Sequence, residues 1–169
     1  MDAHGATEAA VLLPLYGWPS DPGLVFTERH GGLRRHAGEI SFPGGRRDHP
    51  TEDLIDCALR EANEEISLDP GLVEVVGALP PVPTMVTSYK VHPFVGLIPS
   101  DVALEPNPRE VERVLWFSLE DLKEGHARRR LILRGVPIRT DTYTVDGHLV
   151  WGATARILRH LLDALATLR

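Results

Sequence analysis

Thr51-Glu52-Asp53-Leu54-Ile55-Asp56-Cys57-Ala58-Leu59-Arg60-Glu61-Ala62-Asn63-Glu64-Glu65-Ile66 is the stretch on which the fold and the chemistry turn. Leu54, Ile55, Ala58, Leu59, Ala62 and Ile66 recur at intervals of three and four, the period of a helix with one apolar face toward a core. Thr51 is the expected N-cap, Glu52 and Asp53 sit where the helix dipole favours negative charge, and Pro70-Gly71 lies beyond the far end. Glu61, Glu64 and Glu65 fall in the C-terminal half, where the dipole gives them no help. Carboxylates at this spacing share a face and repel. At an effective dielectric near 20 and about 5 to 6 Å, each pair costs roughly 3 kcal/mol. Arg60 offsets one charge, and the remainder suits a hard, oxygen-seeking ion, Mg²⁺ or Mn²⁺. The alternative for the same residues is a solvated acidic helix face.

Upstream of the helix, Ala9 to Leu15 and Gly23 to Thr27 are short apolar runs separated by Trp18-Pro19-Ser20-Asp21-Pro22, and they read as two strands joined by a loop. A basic segment from His30 to Gly38 leads into another strand-like piece, Glu39 to Phe42, before Pro43-Gly44-Gly45 breaks the chain. Arg29, Arg34, Arg35 and His36 form either a solvated basic loop or a phosphate site, since arginine offers paired donors to phosphate oxygens. Downstream, Leu72 to Leu79, Tyr89 to Ile98 and Val111 to Phe117 read as strands, and Leu119 to Glu124 as a short helix. Residues 132 to 145 form a hairpin around Arg134-Gly135. An amphipathic helix from about Gly152 to Leu168 closes the chain. Arg128, Arg129 and Arg130 read as a solvated turn, and Trp116 and Trp151 as core. Glu110 and Glu112 serve either as extra acidic groups at the site or as partners in surface ion pairs. With strands outnumbering helices and two long helices free to cover opposite faces, the class is α/β (α+β), an α/β/α sandwich around a mixed sheet.

The 169 residues fit one domain, 1–169, with a core of its own. A net charge of −6 argues against a nucleic-acid or membrane-surface binder. The apolar stretch Ala9 to Leu15 is far short of the roughly 20 residues of a membrane span. One cysteine, Cys57, excludes an internal disulfide and suits a reducing cytoplasm. On the helix it reads as a buried small hydrophobe.

Glu52, Arg60, Glu61, Ala62, Glu64, Glu65 and Leu68 resemble the box of the Nudix hydrolases, with two departures: Gly45 lies one residue further from Glu52 than the box has it, and Ser67 stands at the usual glycine. The coenzyme A pyrophosphatase branch resembles this chain further, through Val25-Phe26-Thr27-Glu28-Arg29 and Leu33-Arg34-Arg35-His36-Ala37-Gly38-Glu39-Ile40-Ser41-Phe42-Pro43-Gly44-Gly45. That branch carries the extra loop residue, with an Asp at the position of Asp48. The resemblance implies a Nudix-like fold and a metal-dependent pyrophosphohydrolase. Its implied metal set is Gly44 (through its carbonyl), Glu61, Glu64 and Glu65, with Arg60 orienting a glutamate. It implies that Arg29, Arg34 and His36 recognise a coenzyme A-like nucleotide, cleaved to 3′,5′-ADP and 4′-phosphopantetheine or its acyl form. The alternatives are a Nudix hydrolase for ADP-ribose, NADH or nucleoside triphosphates, or a nucleotide-sensing domain without chemistry. The expected protein is cytoplasmic, monomeric or homodimeric.

Overall fold

A computed structural model describes residues 7–31, 38–84 and 88–168. Two long strands, β1 (Thr7–Tyr16) and β2 (Gly23–Arg29), follow the expected apolar runs. They pair only at their joined ends, Leu15 with Leu24 and Tyr16 with Gly23. Beyond that point they part. The freed edge of β2 is taken by β3 (Ile40–Ser41), and that of β1 by β4 (Gly44–Arg46), which aligns Gly44 with Val11 and Gly45 with Ala10. Pro43-Gly44-Gly45, read from the sequence as a break, thus leads straight into a strand.

The helix α1 (Leu54–Ile66) follows, then a 3₁₀ turn at Pro70–Leu72, β5 (Glu74–Ala78), β6 (Val82–Pro83) and β7 (Tyr89–Leu97). The strand β8 (Val111–Ser118) lies antiparallel on β2, and β7 lies parallel to β1 over nine residue pairs from Thr7–Tyr89 to Leu15–Leu97. The sheet is therefore mixed. The short helix α2 (Leu119–Glu124) has the expected bounds, and β9 (His126–Leu133), β10 (Val136–Val145) and β11 (His148–Val150) make a separate three-stranded sheet before α3 (Gly152–Ala166). Arg134-Gly135 and Asp146-Gly147 all have positive φ, the backbone that a tight two-residue hairpin turn demands. The Asp146-Gly147 turn, which goes unread in the apolar pattern, carries the stronger hairpin signal of the two. The Arg128 to Arg130 run is exposed as expected, yet it lies within β9 rather than in a turn.

Alternate residues of the central strands feed two cores. Ala10, Leu12 and Val25 pack with Cys57, Ala58, Ala62 and Ile66 of α1, whereas Leu13, Leu15, Leu24 and Phe26 pack with Ala155, Ile157, Leu158 and Leu161 of α3. This is the predicted α/β/α arrangement, with one helix on each face. Alanines at 58 and 62 let α1 lie close on β1, while Ile55 turns to solvent, so the apolar stripe is narrower than its periodicity suggests. Trp116 is also partly exposed, against expectation, and packs edge-on to Tyr16 at 5.0 Å. Among the described residues no helix is long and apolar enough to cross a membrane.

The N-terminal end of α1 differs in detail from the sequence expectation, and its C-terminal end falls where Ser67 replaces the usual glycine. Its N-cap is Asp53, whose carboxylate accepts the Ile55 N–H at 2.9 Å, rather than Thr51. Its C-cap is Ser67, at φ 59°, where the lost glycine would have been. A left-handed conformation costs an L-residue roughly 1 to 2 kcal/mol, and Ser67 is exposed. Ser67→Gly is therefore expected to raise stability by about 1 kcal/mol in urea unfolding, less whatever glycine gives back as added freedom in the unfolded chain.

Candidate active site

The parting of β1 and β2 opens a cleft of about 640 Å³, lined among others by Thr27 and Arg29 of β2, Ser41 of β3, Glu65 of α1 and Glu110. Its far walls come from the β6–β7 region, the tip of the β9–β10 hairpin and the start of α3. Trp151, expected in the core, is half-buried and lines this cleft.

At the acidic end, Glu65 Oε2 accepts the Gly44 N–H at 2.7 Å. Burial, reinforced by the negative charges of Glu61 and Glu110, pushes its carboxyl up to about 8. Glu61 is raised for the same first reason, burial, with Arg60 pulling the other way and Glu64 and Glu110 adding repulsion. Its carboxylate lies against the Cα of Gly45, so a Cβ built there would stand 2.7 Å from the Glu61 carboxyl carbon. The diglycine strand is thus what the two carboxylates rest on. The two glycines differ in what they exclude, since a Cβ on Gly44 would meet the Ala10 carbonyl oxygen at 2.3 Å, in the backbone of β1. Gly44→Ala is expected to lower stability by about 2 kcal/mol or more through this clash. Gly45→Ala is expected to displace only the movable end of Glu61, cutting activity with a much smaller change in melting temperature.

Arg60 organises the opposite side of the carboxylate row. Its Nε and Nη2 bind the two oxygens of Glu52 at 2.8 and 3.0 Å, Nη1 reaches Glu61 at 3.0 Å and Glu64 at 3.2 Å, and Nη2 also binds the Arg46 carbonyl at 3.1 Å. Asp48, in the loop that carries the extra residue, lies 3.2 Å from Nε and gives its N–H to Glu52 at 2.9 Å. These bonds, the guanidinium's first, hold the Glu52 carboxyl down at about 2. Cys57 is buried as expected, and burial pushes its thiol up to about 11.

Glu61 and Glu65 thus converge, whereas Glu64 is drawn to Arg60 and its side chain remains 52% exposed. Helix geometry explains this. Around the axis Glu65 lies about 40° to one side of Glu61, and Glu64 about 60° to the other, toward Arg60. Among the described residues no three His, Cys, Asp or Glu side chains are grouped closely enough to hold an ion between them. The donor set nevertheless fits a hard divalent cation: two half-buried carboxyl groups whose ionised forms are disfavoured by burial and mutual repulsion and only partly offset. A third carboxylate, Glu64, lies on the next ridge of the same helix, paired with Arg60.

The loop after Pro99 completes the site from beyond α1. Asn107 and Glu105 donate their N–H groups to the carbonyls of Glu65 and Ile66 at 2.8 and 3.0 Å, satisfying the helix end. Glu110 then reaches the cleft wall near Glu65. The two acids that the sequence left undecided separate here, for Glu112 instead pairs with His30 at 3.5 Å on the surface. Of the three expected substrate residues, Arg29 lines the cleft, while Arg34 and His36 lie outside the described residues. Sequence reasoning missed Arg156, Tyr89 and Trp151 on the cleft walls, because no spacing relates them to the acidic helix.

Comparison with known proteins agrees with this fold. The NUDIX domain model matches residues 8–135. A protein of Escherichia coli O1:K1 described as an uncharacterized Nudix hydrolase, NudL, is 42% identical, with the alignment covering 91% of this chain and 80% of that protein. The same identity and coverage hold for its counterpart in Shigella boydii serotype 18. Among solved structures, a Nudix hydrolase of M. smegmatis, RenU, superposes with a TM-score of 0.67 at 18% identity over 98% of this chain and 89% of its own. The NUDIX domain of Shewanella oneidensis NrtR, solved with ADP ribose, gives 0.53 at 16% identity over 73% and 79%.

Proposed function

The chain belongs to the Nudix hydrolase family, and within that family we propose that it cleaves the diphosphate of coenzyme A or its derivatives, releasing 3′,5′-ADP and 4′-phosphopantetheine or its acyl form. It is an enzyme, a hydrolase of phosphoanhydride bonds. The observation that carries the reading is the pair of half-buried carboxylates, Glu61 and Glu65, resting on Gly44-Gly45, with Glu65 at one end of a cleft that also holds Arg29. Thr27, Arg29, Glu39 and Ser41, all from the segment that resembles the coenzyme A branch, line that same cleft, which favours coenzyme A over other diphosphates.

In this reading Glu61 and Glu65, with Glu64 and the Gly44 carbonyl, hold Mg²⁺ or Mn²⁺. Held there, such an ion would supply charge neutralisation for the phosphate oxygens and acidify a water. Glu64, the least confined of the three acids, is free to turn inward as a ligand or to take a proton from the attacking water. Arg60 keeps Glu61 in place while Glu52 holds Arg60, so the row is oriented from behind. Arg29, with Arg34 and His36 from the basic segment, binds the anionic substrate. Mutual support between Leu13 on β1 and Leu161 on α3 within one core favours residues 1–169 acting as one domain. An acidic chain with a single buried thiol fits a cytoplasmic monomer or homodimer without nucleic-acid or membrane partners.

The test is incubation of purified protein with coenzyme A and either metal, followed by identification of products. Release of 3′,5′-ADP supports the reading. Faster hydrolysis of ADP-ribose, NADH or a nucleoside triphosphate at equal concentration counts against coenzyme A, and binding without metal-stimulated cleavage of any of them returns the protein to a sensing role.

A further inference from the structure

One cation in the cleft has no part in the chemistry above. Arg156 lies in the second turn of α3, is exposed, and lines the cleft with Pro83, Thr84, Tyr89 and Trp151. Its Nη1 donates to the Pro83 carbonyl at 3.5 Å, the outer limit of such a bond. Among the described residues Arg156 has no carboxylate partner, as is also true of Arg46, Arg47, Arg109, Arg129, Arg130, Arg134 and Arg139, and of these it is the one that lines the cleft. A guanidinium on a cleft wall with most of its donors unspent is built to take an anion.

Its place in the fold separates it from the diphosphate end. Arg29 stands on β2 and Glu65 on α1, but Arg156 stands on α3 against β6, which pairs with β7. Tyr89, at the start of β7, and Trp151, just before α3, put aromatic surface on the same cleft. An aromatic surface beside a cation matches a nucleoside that carries a phosphate away from the scissile diphosphate.

We infer that Arg156 binds a phosphate monoester on the nucleotide half of the substrate and thereby sets a preference for the 3′-phosphorylated nucleotide over its dephosphorylated form. This rests on the cleft being the substrate site as proposed above, and adds a contact to those of the basic segment. Arg156 touches the substrate far from the bond that breaks, so it governs selectivity.

The experiment measures kcat and KM for coenzyme A and dephospho-coenzyme A with the parent, Arg156→Ala and Arg156→Lys. Loss of a charged hydrogen-bond partner is expected to raise KM for coenzyme A about tenfold in the alanine variant, with kcat nearly constant. The kcat/KM ratio between the two substrates then falls toward one, and Arg156→Lys regains part of it. An unaltered ratio, or an equal loss on both substrates, overturns the inference. If the parent cleaves neither substrate, the coenzyme A reading fails separately, and titration with 3′,5′-ADP and 5′-AMP decides the site. A preference for 3′,5′-ADP that Arg156→Ala removes sustains it, and no such preference in the parent overturns it.

Discussion

Glu65→Gln is expected to lower metal-dependent turnover by more than about a hundredfold, the upper end of what losing an outer-shell partner costs a metal site, since Glu65 is itself a proposed ligand. The same change is expected to leave the metal-free protein at least as stable as the parent. Glu65 is buried beside Glu61 and near Glu110, and its ionised form is disfavoured first by burial and then by their charge. Glutamine has nearly the same shape and keeps an oxygen for the Gly44 N–H, which the carboxylate now accepts at 2.7 Å. A neutral amide therefore removes the cost of keeping an acid, ionised or forced to protonate, at this place, without opening a cavity. Product release with Mg²⁺ or Mn²⁺ and thermal unfolding in a chelator separate the two effects. Turnover close to that of the parent would remove Glu65 from the site, and a collapsed melting temperature would make it a structural residue instead.

Arg60→Met is expected to cost about 3 kcal/mol at pH 7, the lower end for removing one partner of a covered ion pair, because the Arg60 side chain remains 23% exposed. Methionine fills much of the volume but leaves Glu52, Glu61 and Glu64 facing one another without their shared cation. The deficit should shrink in acid. In the parent, Glu52 is held at about 2 against an ordinary value of 4.5. A folded-state value below the unfolded one contributes stability above 4.5 and loses it as pH falls toward 2. The variant lacks that contribution from the outset, so the two urea midpoints should converge across this window. Midpoints that stay equally far apart from pH 7 to pH 3 would show that Arg60 stabilises through packing of its stem alone.

Much of the framework is legible in the chain. The apolar period that marks α1, the short strand-like runs of β1, β2, β7 and β8, and the Arg134-Gly135 turn are local signals, and the structure follows each. The errors fall where a distant partner decides the outcome. Ala9 to Val11 offers an edge to β4, so the diglycine segment becomes a strand instead of a free turn. Asp53 displaces Thr51 as the cap of α1, a choice between neighbours that composition alone does not resolve.

By itself the sequence determined that an acidic helix follows a diglycine segment in a mixed α/β chain, because helical spacing and backbone permissiveness are properties of a few consecutive residues. Only the tertiary structure decided that Glu65 lines the cleft and Glu61 rests on Gly45 while Glu64 stays with Arg60, and that Glu110, Arg156, Tyr89 and Trp151 join the same cavity. Desolvation, charge coupling and shared cleft walls depend on segments separated along the chain, and those distances exist only once the strands have paired and the helices have packed.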